Sequence, residues 1–188
     1  MLLFQAYDNH LQQLTAVAER VCQALKAAGI EYRVVGGLAV LFHVKARDPL
    51  AARLTKDVDL AIHRADLPRV FEAVRSLGLV YRHVAGVDML VGSAKPTARS
   101  AIHLVFIGEK VRQEYLEPVP GFSPPATTAE GALVASVADL VRMKLTSFRL
   151  KDKVHIQDLD GVGLITPEIE AGLPELLRQR LAEVRASD

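Results

Sequence analysis

The chain has 188 residues, of which 50% are hydrophobic and 24% charged, so it is too hydrophobic for a disordered protein and long enough for one compact domain. A net charge of +1 excludes a global field that would attract nucleic acid or an anionic membrane, so any phosphate site has to be local. A single cysteine, Cys22, excludes an intrachain disulfide and a cysteine-cluster zinc site. No apolar run approaches the roughly 18 residues that a spanning helix needs, and we expect a cytoplasmic protein with no membrane partner.

The first third of the chain predicts a helix, a strand and a second helix. Apolar residues recur at helical spacing over residues 11–28, and Gly29 suits a C-terminal cap. Residues 32–35 are rich in β-formers and predict a short strand that ends at the pair Gly36-Gly37. Residues 38–44 then predict a short buried helix.

The middle of the chain predicts the rest of a sheet. Residues 57–62 alternate carboxylate and apolar side chains before becoming fully apolar, which indicates a strand with one polar face. A helix with an apolar stripe follows over residues 67–77. Three further strands are predicted at residues 79–84, 87–91 and 100–107, and neighbouring strands of this kind favour antiparallel pairing.

The last third predicts helices. Residues 117–131 are proline-rich and should carry the chain around the sheet edge, and helices are predicted from Ser136, over residues 151–159 and over residues 167–184. We therefore expect an α+β (α/β) fold with a mixed, largely antiparallel sheet of about four to six strands and helices on one face. Its parts are an α/β core with an N-terminal helix (1–116), the connection (117–131) and a C-terminal helical segment (132–188), packed as one compact unit.

Two short motifs combine into a candidate site for phosphate and metal. Asp57 and Asp59 are two positions apart on a predicted strand, so their carboxylates point to one face and can share one or two divalent cations. Gly36 and Gly37 carry no side chains, so the backbone before the next helix can approach a phosphate closely. Metal ions that bridge phosphate oxygens can support an in-line displacement at phosphorus.

This pattern resembles the nucleotidyltransferase-fold superfamily, in which a Gly-Gly or Gly-Ser turn precedes Asp-x-Asp on the next strand and a third carboxylate on a later strand. Within it, the sequence is most similar to the minimal nucleotidyltransferases and to the abortive-infection toxin-like group of bacterial type IV toxin-antitoxin systems. Segments 139–145 and 149–159 are similar to the helical segment of these proteins, so the resemblance covers about residues 30–160. It implies transfer of a nucleoside monophosphate from an NTP to a hydroxyl on RNA, protein or a small molecule, with Mg²⁺ (or Mn²⁺) as cofactor and an antitoxin protein as a partner.

The resemblance also implies roles for individual residues. Asp57 and Asp59 are implied as catalytic and metal-binding residues, and the implied nucleotide-binding residues are Gly36, Gly37, Thr55, Lys56 and Lys144. His103 is the third implied catalytic residue and stands where the family has its third acid; an imidazole can ligate a metal or accept a proton but lacks the charge that two magnesium ions favour. In that position, its ring should lie within about 6 Å of the two aspartates, and their charge should raise its pKa.

The residues taken separately leave other interpretations open. Asp57 and Asp59 alone fit a solvated strand face, and a glycine pair alone fits an ordinary turn. Lys144 could extend from the core to solvent, and an ordinary charged surface could be formed by Arg149, Lys151 and Lys153. The competing functional hypothesis is a catalytically degenerate family member that binds a nucleotide or a partner protein. A carboxylate such as Asp88 near the paired aspartates would favour the enzyme.

Overall fold

The structure is a computed structural model that describes residues 2–53, 55, 57–93 and 101–187, with side chains from Thr15 onward. The helices are α1 (Leu2–Ala27), α2 (Gly36–Arg47), α3 (Leu67–Arg75), α4 (Val137–Ser147), α5 (Leu150–Gly161), α6 (Pro167–Ala171) and α7 (Glu175–Ala186). The strands are β1 (Tyr32–Val35), β2 (Val58–Ile62), β3 (Leu79–Val84), β4 (Val87–Gly92), β5 (Ile102–Phe106), β6 (Ala126–Thr127) and β7 (Leu133–Val134). Within these described ranges, no helix is both long enough and apolar enough to cross a membrane.

The strands form one mixed sheet in the order β3-β4-β5-β2-β1-β7-β6. The pairs β2–β5 and β1–β7 are parallel, and the pairs β1–β2, β3–β4, β4–β5 and β6–β7 are antiparallel. All four residues of β1 are buried, as expected for a strand with neighbours on both sides. The predicted α+β fold with a mixed, largely antiparallel sheet is therefore confirmed.

Several elements differ in extent from the prediction. Helix α2 begins at Gly36, so strand β1 passes directly into it without an intervening turn. Helix α1 begins at Leu2, well before the predicted start. The single helix predicted over 167–184 is wrong, because Pro174 restricts the residue before it and starts a new helix, which separates α6 from α7. Strands β6 and β7 have two residues each, too short to give a recognisable pattern.

Helix α2 connects the sheet to the C-terminal helices. It contacts strands β1 and β2 as well as helices α4 and α5, and Leu38, Leu41 and Val44 are among its buried residues. Helix α7 contacts α4 and α5 in turn, and it buries an apolar stripe with helical spacing. Within α5, His155 lies next to Gly37 at the N-terminus of α2.

The corner between α4 and α5 is built on one buried carboxylate, Asp152. Lys144 Nζ lies 2.9 Å from its Oδ1, and both side chains are excluded from solvent. Ser147 Oγ and Arg149 Nε each donate a hydrogen bond to its Oδ2 at 2.7 Å. Burial opposes ionisation, but the hydrogen bond from Arg149 and the charge of Lys144 hold the pKa of Asp152 well below its usual range. Phe148, with a left-handed φ of 51°, turns the chain between the two helices.

Replacing Asp152 with asparagine should lower the free energy of unfolding by about 3–5 kcal/mol, because the buried ammonium of Lys144 loses its counter-charge. Urea unfolding followed by circular dichroism measures the loss. Glu183→Gln is the matched control, since Glu183 is 59% exposed and its ion pair with Lys153 should contribute less than about 1 kcal/mol. Equal losses in the two variants would contradict a structural role for the buried carboxylate.

Candidate functional site

Strand β1 passes into helix α2 at Gly36, and this glycine lies directly against Asp59. Gly36 has a φ of +70°, in the left-handed region that favours glycine, and a Cβ atom here would overlap Asp59 Oδ2. Glycine therefore allows the backbone to approach the carboxylate. Val35, the N-cap residue of α2, makes no side-chain hydrogen bond to the backbone N–H groups of the first turn.

Asp59 and His103 occupy the same row of the sheet. Asp59 pairs with Val35 on β1 and with His103 on β5, and His103 pairs with Met89 on β4. His103 Nδ1 lies 3.2 Å from Asp59 Oδ1, which agrees with the expected proximity of the ring to this aspartate. The side chains of His103 and Asp59 are 29% and 25% exposed, so solvent and ligands can reach both.

The surroundings of His103 favour its protonated form. The hydrogen bond with Asp59 raises the pKa of His103, partial burial lowers it, and the charges of Asp59 and Asp57 raise it further. The Lys151 ammonium acts in the opposite direction. The net shift of the pKa is upward, as the sequence predicted, so His103 holds its proton more firmly than a free histidine.

Asp57 lies next to Asp59 and His103 on the more exposed side, one residue before β2. Its side chain is 47% exposed, and its Oδ2 lies 3.7 Å from Lys151 Nζ on the first turn of α5. Its backbone N–H donates a hydrogen bond to Thr55 Oγ1 at 3.4 Å. Thr55 is also a neighbour of Gly37, where a Cβ atom would come within 2.7 Å of Oγ1. At one end of the central strands β1, β2 and β5, the structure thus brings together the predicted residues Gly36, Gly37, Thr55, Asp57, Asp59 and His103.

Two predicted nucleotide-binding residues are not placed in this group. The Lys144 side chain is 7% exposed, and its ammonium pairs with Asp152 inside the α4–α5 corner. Its contact with a triphosphate stays a prediction. Lys56 lies outside the described residues.

Sequence reasoning missed two residues of α5, His155 and the buried Asp152. His155 Cε1 would lie 3.3 Å from a Cβ atom at Gly37, and its buried Nδ1 has no hydrogen-bond partner among the described residues. Burial and the charge of Lys144 lower the pKa of His155 to about 4, so its ring is neutral at neutral pH. The sequence signal that could have found both residues is their position in segment 149–159, which is similar to the family's helical segment.

Asp88 does not supply the third carboxylate. It pairs with Leu104, the residue after His103, and successive strand residues point to opposite faces of a sheet. Its Oδ1 accepts a hydrogen bond from Tyr81 Oη and lies 2.9 Å from His83 Nδ1. Asp88 therefore belongs to a separate polar group on the other face.

The carboxylates of Asp57 and Asp59 are suited to bind one divalent cation. Across the described part of the chain, no cluster of three or more His, Cys, Asp or Glu side chains is arranged to hold a metal ion. Mg²⁺ and Mn²⁺ are bound by one or two carboxylates when water or phosphate supplies the remaining ligands, and Asp57 and Asp59 meet that requirement. A second ion would call for a further negative charge, which His103 does not provide.

Comparison with known proteins identifies the fold. No protein-family model and no curated protein sequence matches this chain. The crystal structure of an antigenic nucleotidyltransferase-like protein from Paracoccidioides brasiliensis matches with a TM-score of 0.56 and 17% sequence identity, over 94% of this chain and 88% of that one. The crystal structure of ANT(2'')-Ia in complex with adenylyl-2''-tobramycin matches with a TM-score of 0.53 and 12% identity, over 94% of this chain and 98% of that one. The chain therefore has a nucleotidyltransferase fold.

Replacing Gly36 with alanine should destabilise the protein more than the same change at another left-handed glycine. Gly163 is the matched control, because its φ is +73° and a Cβ atom there has nothing within 4 Å. Gly163→Ala should lose about 1–2 kcal/mol of unfolding free energy from backbone strain alone. Gly36→Ala should lose distinctly more, because Asp59 must also move away from the new methyl group. Urea unfolding of the two variants measures the difference, and equal losses would show that the Gly36–Asp59 contact is not constrained.

Proposed function

We propose that this chain binds a nucleoside triphosphate together with one divalent cation and transfers its nucleoside monophosphate to a hydroxyl group, with release of pyrophosphate and the hydroxyl proton. The observation that carries the proposal is the contact between Gly36 and Asp59. This contact puts the Asp59 carboxylate, the proposed metal ligand, beside the N-terminus of α2, where backbone N–H groups and the helix dipole favour an anion. A polyphosphate with its cation fits this arrangement, because the carboxylate can bind the cation and the helix N-terminus can bind the phosphate.

Each residue of the candidate site has a separate proposed role. Asp57 and Asp59 hold the cation, Mg²⁺ or Mn²⁺, which when bound neutralises phosphate charge and helps to align the displacement. Gly36 and Gly37 let the phosphate chain approach the backbone of α2 without a side chain in the way. The chain's contribution to the rate is then electrostatic and positional.

His103 is proposed as a positioning residue for Asp59. In its protonated form, Nδ1–H donates to Asp59 Oδ1 and holds the carboxylate in its place against Gly36. Thr55 supports the neighbouring turn by accepting the Asp57 N–H. Lys56 and Lys144 remain proposed phosphate-binding residues, and Lys144 would have to leave Asp152 to take part.

The acceptor is proposed at the level of a hydroxyl on RNA, protein or a small molecule. One structure with this fold, ANT(2'')-Ia, was crystallised with adenylyl-2''-tobramycin, which supports adenylyl transfer as chemistry that the fold can carry. The similarity of residues 139–159 to the type IV toxin-like group supports an antitoxin protein as a partner.

A second candidate function is nucleotide binding without transfer. The observation that favours it is the row of the sheet in which His103, rather than an acid, neighbours Asp59, while Asp88 points to the opposite face. A site with two carboxylates retains the means to bind one cation and a phosphate chain. What this site lacks is the third carboxylate, which completes the metal site in the family that the sequence resembles.

The combination of Mg²⁺ or Mn²⁺ with an NTP should raise the melting temperature of the wild type, because a ligand that binds the folded state alone stabilises it. Asp57→Asn should abolish this rise with little change in the melting temperature of the free protein, since it relieves repulsion between neighbouring carboxylates. Differential scanning fluorimetry measures both. Glu72→Gln, which changes an exposed carboxylate on α3, should keep the full rise. A full rise in Asp57→Asn would exclude the paired aspartates as the metal site.

His103→Asp should separate the two candidate functions. The new carboxylate supplies the third charge, so Mg²⁺ should bind more tightly to this variant than to the wild type. Assays with radiolabelled NTPs against total RNA and cell lysate would then measure transfer. Transfer by the wild type supports the enzyme, whereas transfer by His103→Asp alone supports the non-catalytic binder. Unchanged Mg²⁺ affinity would show that position 103 lies outside the metal site.

A further inference from the structure

Two cations near the start of α5, Lys144 and Arg149, already pair with the same carboxylate, Asp152. Lys144 is buried against Asp152, and Arg149 donates to the same carboxylate from Nε at 2.7 Å and from Nη2 at 3.4 Å. Lys151 differs from both in its partner, because its 56% exposed side chain places the ammonium 3.7 Å from Asp57 Oδ2 at the candidate site.

The contact between Lys151 and Asp57 is easily exchanged. An exposed lysine–carboxylate pair of this length contributes little to stability, and the lysine side chain is long and flexible. A divalent cation carries twice the charge of the ammonium and prefers the same oxygen ligand. Simultaneous binding of the ammonium and the divalent cation to Asp57 Oδ2 is therefore unfavourable, because the two positive charges repel each other.

We infer that Lys151 and the divalent cation compete for Asp57, and that the displaced ammonium binds the phosphate chain of the nucleotide. This inference rests on the proposed function and adds to it the residue that couples metal binding to phosphate binding. Lys151 lies on the first turn of α5, and α5 contacts α2 next to Gly37, so the ammonium is already near the proposed phosphate position. When the metal takes Asp57, the lysine charge has a new partner within reach.

The inference predicts two effects of opposite sign for one substitution. Lys151→Met keeps an apolar stem and removes the charge. Mn²⁺ alone should bind about two- to fivefold more tightly, because its competitor at Asp57 is gone. Magnesium tripolyphosphate, which carries the phosphate chain without base or sugar, should bind about five- to tenfold more weakly, because it loses a charge-assisted hydrogen bond.

Isothermal titration calorimetry on the full chain measures both affinities. Lys153→Met is the matched control, because Lys153 lies two residues further along α5 and its ammonium is 2.6 Å from Glu183 and over the Phe148 ring. Lys153→Met should change neither affinity. Lys151→Arg should restore tripolyphosphate binding toward that of the wild type, because it returns the charge.

The possible outcomes separate this inference from the proposed function. If the wild type binds neither Mn²⁺ nor magnesium tripolyphosphate, the proposed function and the inference both fail. If the wild type binds both ligands and Lys151→Met leaves the two affinities unchanged, or weakens both, the competition alone is wrong. An equal loss of tripolyphosphate affinity in Lys153→Met would reduce the effect to general surface charge and would also overturn the inference.

Discussion

The ionic group around Asp152 is the interaction on which the candidate site depends. It joins the end of α4 to the first turn of α5 through Lys144 and Arg149, on either side of the left-handed Phe148. Because the corner is fixed, α5 starts in one position, from which Lys151 reaches Asp57 and His155 reaches Gly37. A carboxylate in the interior thus positions side chains at the surface.

The carboxylates of Asp152 and of the Asp57–Asp59 pair lie in contrasting environments. Asp152 is fully buried and surrounded by protein donors, so it has little capacity left for a ligand. Asp57 and Asp59 are partly exposed, and Asp57 lies 3.7 Å from Lys151 while Asp59 lies 3.2 Å from His103. Such contacts are weak in water and can be exchanged. The interior group stabilises the fold, and the exposed group is the one proposed to bind a cation.

The sequence predicted those features that depend on local pattern. Alternation over residues 57–62 located β2, and glycine spacing located the β1–α2 junction next to Asp59. The burial of Lys144 could not be predicted in this way, because its partner is eight residues away across a corner that no periodicity describes. The break before α7 was visible as Pro174, but a helical repeat on both sides concealed it. A tertiary contact decided the first miss, and the local restriction by a proline decided the second.

The shared row of Asp59 and His103 has a genetic consequence. The two strands pair in parallel register at these positions, so the residue at 103 lies beside Asp59 whatever its side chain. Histidine codons and aspartate codons differ in their first base alone. One point mutation therefore separates the present row from one with an additional acid, and the backbone need not change for a lineage to pass in either direction. The same backbone thus accommodates either side chain within a single mutational step.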